Sequence, residues 1–239
     1  SNSRTSLSNN DSGADNTVFG FLAGAALASG GDDNTLIGDY AGNALTTADG
    51  CVAIGSGAML VHTTGGQNIA IGSGAMDDTN VHANTLASTY NVFIGSDSGG
   101  GTWTGSTASQ YNVAVGHLTM DAAMAGASNN AACGYASLSS LTTGNQNVGL
   151  GTAAGNAITT GDDNVCIGYR AGDAFDAENN NIFIGANAGG GGSLAVGSTI
   201  GIGSSALTAL TSGGYNLAIG HQAGLLVTDG SSNTLIGYG

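Results

Sequence analysis

The chain contains no proline and no lysine, and its only strong cations are Arg4 and Arg170. Sixteen acidic residues face those two arginines, giving a formal net charge of −14. Such a surface repels nucleic acid, whose phosphates are held by Lys and Arg. It equally disfavours adhesion to anionic lipid. Charged residues make up only 8% of the sequence, against roughly a quarter in an ordinary globular domain. There is no apolar run of the length a transmembrane helix needs, so membrane insertion is not expected. The start, "SNSRTSLSNN", has no apolar core, so no signal peptide is visible there. Collagen is excluded because the 44 glycines are irregularly spaced and come without proline. Disorder is excluded by a hydrophobic content of 41% that is rich in β-branched residues.

What is present is a repeat. Aligned on N-x-x-[IVLF]-G, its glycine recurs at 20, 38, 55, 72, 95, 116, 134, 151, 168, 185, 203, 220 and 237. Ten of the twelve intervals are 17 or 18 residues, which chance does not produce. The repeat covers residues 16–239 as one domain, after a polar leader at 1–15.

Each register of the repeat has a physical meaning. The residues one and three before the glycine are apolar and mostly β-branched, as in Ile69 and Ile71 or Ile182 and Ile184. A separation of two is the strand period, so both point to one face of a short strand that the glycine ends. The residue between them is small or apolar and never charged, for example Ala53, Ala70, Phe93 and Gly149. A strand with one wet face would alternate with polar residues. Both faces are therefore expected to be buried, one inside the coil and the other against a second chain.

Asn stands four before the glycine at Asn16, Asn34, Asn68, Asn91, Asn112, Asn130, Asn147, Asn164, Asn181, Asn216 and Asn233. Only Cys51 and Thr199 break this row. If each repeat is one coil, these amides stack about 4.8 Å apart and form a structural hydrogen-bonded ladder. After the glycine comes a small segment with Ala at its third position, as in "DYAG", "TAAG" and "HQAG", and then a polar turn such as "LTTGNQ". Each coil thus reads as strand, bend, second short strand and turn. Twelve steps of about 4.8 Å give a rod of roughly 60 Å. The expected fold is an all-β parallel β-solenoid, or β-roll, of about thirteen 17-residue coils.

Runs such as "NTLIGDYAGNALTTADGCVAIGSGAM" and "NVGLGTAAGNAITTGDDNVCIGYRAG" resemble the head repeats of trimeric autotransporter adhesins. They resemble even more the N-T-x-I-G-x-x-A-G arrays of phage tail fibres. The resemblance covers nearly the whole chain, although adhesin-head repeats are commonly nearer fourteen residues. It implies a left-handed roll assembled as a homotrimer, intertwined or side by side, in an extracellular appendage, most readily a virion tail fibre attaching to a host surface. A bacterial adhesin head is the alternative it implies. In such fibres a C-terminal chaperone is often cut off after assembly. The chain ends mid-coil at "TLIGYG", as expected of a fragment or a trimmed product.

Two intervals are long, with insertions at 77–90 and 96–110. Insertions in repeat proteins emerge as loops and carry binding. Asp77, Asp78, His82, Tyr90, Trp103 and Tyr111 are therefore the candidate contacts for a cell-surface glycan or protein receptor. Trp103 could instead plug a gap, and Tyr90, Tyr111 and Tyr215, each preceding a ladder Asn, also suit interface packing. The acidic pairs Asp32-Asp33, Asp77-Asp78 and Asp162-Asp163 are too sparse to cage calcium and read as turn acids. The histidines have no metal spacing, and three cysteines in strand registers read as small hydrophobes. No metal or cofactor is expected. No pair of facing carboxylates, nucleophile elbow or phosphate loop is present, so no catalytic residue is expected either. Thr46, Thr63, Thr142, Thr159, Thr211 and Thr228 share one register, which raises an ice-binding solenoid as a further alternative.

Overall fold

The computed structural model describes residues 4–6, 13–78, 87–103, 107–191 and 197–239. Position 82 and the middles of both insertions lie outside the described residues. The chain divides into two compact units, residues 1–128 and 129–239.

Each unit is a parallel β-solenoid with one strand per coil. In the first unit the strands are β1 (Arg4–Ser6), β2 (Thr17–Gly20), β3 (Thr35–Ile37), β4 (Val52–Ile54), β5 (Ile69–Ile71), β6 (Val92–Ile94) and β7 (Val113–Val115). β2 to β7 pair in parallel, each residue beside its equivalent in the next coil, as in Val52↔Ile69 and Ala53↔Ala70. β1 instead runs antiparallel to β2, so part of the predicted leader is ordered as a strand. In the second unit the strands are β8 (Ala131–Cys133), β9 (Val148–Leu150), β10 (Val165–Ile167), β11 (Ile182–Ile184), β12 (Ile200–Ile202), β13 (Leu217–Ile219) and β14 (Thr234–Ile236). All of these pair in parallel, in the same register. Among the described residues no helix is long and apolar enough to cross a membrane.

Among the described residues the second strand expected in each coil is absent. The segment after the glycine is a stack of turns. Its second and fourth residues take left-handed conformations, for example Tyr40 (φ 57°) and Gly42 (φ 57°), or Arg170 (φ 52°) and Gly172 (φ 58°). Alternation of that kind cannot extend a strand. The turns still hydrogen-bond from coil to coil: Gly57 N–H donates to Asp39 O at 2.8 Å, and Met59 N–H to Ala75 O at 2.9 Å. The backbone is thus satisfied without a second sheet.

The strand-ending glycine is obligatory on two counts. Gly55 has φ +137°, and a Cβ there would lie 2.4 Å from the carbonyl oxygen of Gly72 in the next coil. Neither the conformation nor the space admits a side chain.

The interior takes the small register. The middle strand residues are buried, including Leu36, Ala53, Ala70, Phe93, Ala114, Cys166, Phe183 and Ala218. The alanines three after the glycine, among them Ala41, Ala58, Ala154 and Ala188, close the core from the other side. Leu45, Leu141, Ile158 and Phe175 fill its far end. Size is complementary between coils: a Cβ on Gly201 would lie 3.0 Å from the Phe183 ring. A core this thin tolerates little change in volume. The two flanking strand residues point outward, and most of that row is only half-buried. Phe19, Val113, Val115, Leu150 and Ile219 are exposed outright.

Candidate functional site

The Asn row forms the expected ladder, and its bonds are more specific than amide-to-amide stacking. Asn147 shows the full set. Its Oδ1 accepts the backbone N–H of Asn164 at 3.1 Å and the Asn164 amide at 3.0 Å. Its own Nδ2 donates to Gly161 O at 2.7 Å and to Asn130 Oδ1 at 3.1 Å. The donor reaches a turn carbonyl fourteen residues on, in the next coil. The same reach recurs from Asn34 to Ala48, Asn130 to Gly144 and Asn216 to Gly230, and one residue longer from Asn112 to Ala127. Asn16, Asn68, Asn91, Asn164, Asn181 and Asn233 belong to the same network. Only Asn among the short side chains supplies both a cap and a donor from one carboxamide.

At Cys51 the row is broken and repaired. Fourteen residues on is Gly65, and its carbonyl accepts from the ring of His62, with Nε2 2.8 Å away, from Asn68 Nδ2 at 3.0 Å and from the Cys51 thiol itself, with Sγ at 3.5 Å. His62 occupies the core position held by Leu45 and Leu141 in other coils, and it is fully buried. Its neutral ring must carry the proton on Nε2 to donate there. Burial pushes the His62 pKa below its usual value, the Gly65 contact opposing the shift. The Cys51 thiol is held up at about 11 by burial, although the backbone N–H groups of Asn68 and Gln67 favour the thiolate. Neither it nor Cys166, at about 12 through burial, is a nucleophile near neutral pH. At Thr199 the backbone N–H still donates to Asn181 Oδ1 at 3.1 Å, but Thr199 Oγ1 is buried without a partner.

The candidate binding residues separate into three groups. Trp103 is not a surface contact: it is fully buried, packs edge-on against Phe93 with centroids 5.8 Å apart, and its Nε1–H donates to Gly99 O at 3.0 Å. Trp103 turns inward beside the large Phe93 ring, which stands in a register that holds alanine in several other coils. Asp77 and Asp78 line the turn beside it. The Thr102 hydroxyl donates to the Asp78 carboxylate, and Trp103 N–H to Asp78 O at 2.9 Å. Asp77 is half-buried; that burial, then Asp78 and Asp97, raise its pKa to about 6. Asp121, one coil beyond Asp97, is also raised, by burial and by Asp97. Among the described residues no three His, Cys, Asp or Glu side chains are arranged to hold a metal ion.

Tyr90 and Tyr111 are brought together. Their rings stack at 5.2 Å with an interplanar angle of 9°. They are 48% and 53% exposed, and both backbones are left-handed, at φ 60° and 58°. Beside Tyr90 runs a surface groove of about 190 Å³ lined by Thr47, Asp49, Thr64, Gly66, Gln67, Thr89 and Tyr90. Apart from Tyr90, sequence reasoning passed over these residues, because they come from turns of three different coils and meet only through the coil geometry. The threonine row has hydroxyls engaged between coils: Thr46, Thr142 and Thr211 donate to the carbonyls of Thr63, Thr159 and Thr228 at 3.1, 3.0 and 2.8 Å, while the Thr63 hydroxyl is buried without a partner. Compared with known proteins, the chain matches no family model, no curated protein and no solved structure.

Proposed function

We propose that the chain is a structural and adhesive segment of an extracellular fibre, a phage tail fibre in the first instance, and that it works as a homotrimeric rod. The observation that carries this reading is the outward strand face. Two mostly apolar, β-branched-rich rows run along each unit and, among the described residues, stay half-buried or exposed. Apolar surface of that continuity marks an interface, and a second copy in the same register offers the complementary face. The number three and the fibre setting come from the repeat resemblance. Stacked coils and buried Asn ladders give stiffness, and trypsin has only Arg4 and Arg170 to attack. A bacterial adhesin head built on the same rod is the alternative within this class. The ice-binding alternative is weaker, because Thr46, Thr142 and Thr211 spend their hydroxyls on bonds between coils and the Thr63 hydroxyl is buried.

Sedimentation at micromolar concentration tests the assembly. About three times the 23.0 kDa chain is expected. An outward charge such as Ile54→Asp should reduce that mass to one chain while the circular dichroism of the coil persists. A clean wild-type monomer overturns the trimer.

A further inference from the structure

The residue before each ladder position is left-handed in coil after coil, and it is commonly a residue that tolerates this: Asp15, Asp33, Asn129, Asp163 and Asn180. For a bulky side chain the conformation costs on the order of 1–3 kcal/mol. Met59, Met76, Leu138 and Leu207 share it elsewhere in the coil, but all four are buried, and burial offsets the strain. Tyr90 and Tyr111 carry the strain with their rings half in water. The fold gains little from aromatic residues at these positions, since Ser198 and Ser232 fill the same register.

We propose that the groove beside Tyr90 is a binding site for a neutral, linear glycan. Sugars present a C–H face that packs on an aromatic ring and a rim of hydroxyls that need paired donors and acceptors. Tyr90, backed by Tyr111, supplies the ring. Asp49, Gln67 and the hydroxyls of Thr47 and Thr89 supply the polar rim. The Asp49 carboxylate is preset, because Oδ1 accepts the Asp32 N–H at 2.9 Å, which leaves Oδ2 for a ligand hydroxyl. Neither arginine lines the groove, and the chain bears a net −14, so sulfated, phosphorylated or sialylated chains are repelled. The lining comes from three successive coils, which repeats the polar groups over roughly 10 Å and favours a chain of sugars over a single one. The site takes its purpose from the attachment role proposed above, but its geometry lies within one chain.

The test is an array of immobilised neutral oligosaccharides with sulfated and sialylated chains beside them, probed with the full chain. The native mass is measured on the same preparation. A subset of neutral glycans should be retained. Tyr90→Ser, acceptable to a register that already holds Ser198, should weaken retention at least tenfold. Asp49→Asn, which keeps an acceptor for Asp32 N–H, should do the same. Tyr215→Ser, in the same register but away from the groove, should leave it unchanged. No retention of any neutral glycan, retention of acidic glycans alone, or full retention by Tyr90→Ser each overturns the site. A monomer that still binds through Tyr90 sinks the trimer and leaves the site standing.

Discussion

The two breaks in the Asn ladder differ in how the lost bonds are replaced. At Cys51 the thiol faces the backbone N–H of the next ladder residue, and His62 reaches the turn carbonyl that the missing amide would have served. At Thr199 the hydroxyl is buried without a partner. The register therefore demands a cap and a donor, which any side chains meeting there can supply. The cost of a lesion depends on the neighbours, so the first unit carries its break at less cost than the second carries its own.

The largest effect should come from making a third break where nothing is prepared for it. Asn147→Ala leaves Gly161 O and the Asn164 N–H without their ladder partners. Each orphaned buried group costs about 1–3 kcal/mol, so a loss of about 3 kcal/mol or more is expected in urea unfolding. Next comes removal of the repair. His62→Leu should cost about 1–2 kcal/mol, because Asn68 Nδ2 still reaches Gly65 O at 3.0 Å. Adding Cys51→Asn should recover most of that loss, and a double-mutant cycle should show the coupling. If the two changes simply add, the repair does not exist. A smaller effect of opposite sign is expected at the other break: Thr199→Asn should stabilise by about 1 kcal/mol by restoring the donor and cap.

Acid should separate the repaired break from the insertion turn. His62 is neutral in the fold with its pKa below 6.5, so the unfolded chain takes up the proton first and stability falls as pH drops below 6.5. Asp77 has the opposite sign. Its folded pKa of about 6 exceeds the ordinary 3.8, so the fold takes up the proton first. Its contribution grows as pH falls from about 6 towards 3.8 and is lost as pH rises through that window. Unfolding midpoints between pH 4 and 7 should lose their acid penalty in His62→Leu and their acid gain in Asp77→Asn.

Much of the fold was legible in the sequence because it depends on one position at a time. A glycine whose Cβ would strike the next carbonyl, and an Asn that caps the next coil, must recur with the coil. The inward face was not assigned in advance, since both faces of Val52–Ala53–Ile54 are apolar. The close spacing of stacked turns puts the small register inside. The second strand was misread because residues such as Tyr40 and Arg170 carry no sequence mark of a left-handed backbone. Trp103 admitted two readings from sequence, a sugar platform or a plug for a gap, and its partner Phe93 decides for the plug only once the coils are stacked. His62 escaped notice because its meaning lies in Gly65 and Cys51, which belong to the ladder rather than to the core. The groove at Tyr90 was half visible: the aromatic could be read, while Thr47, Asp49 and Gln67 required three coils to be laid side by side.

The bonds of the ladder that recur from coil to coil are made to the adjacent coil. Copying or deleting one 17-residue unit would therefore leave each remaining junction with the partners it needs. Cys51 and His62 lie within one such unit, so duplication would carry the lesion together with its remedy. Where neighbouring coils carry matching core residues, the solenoid can change its length by whole coils without new ladder chemistry.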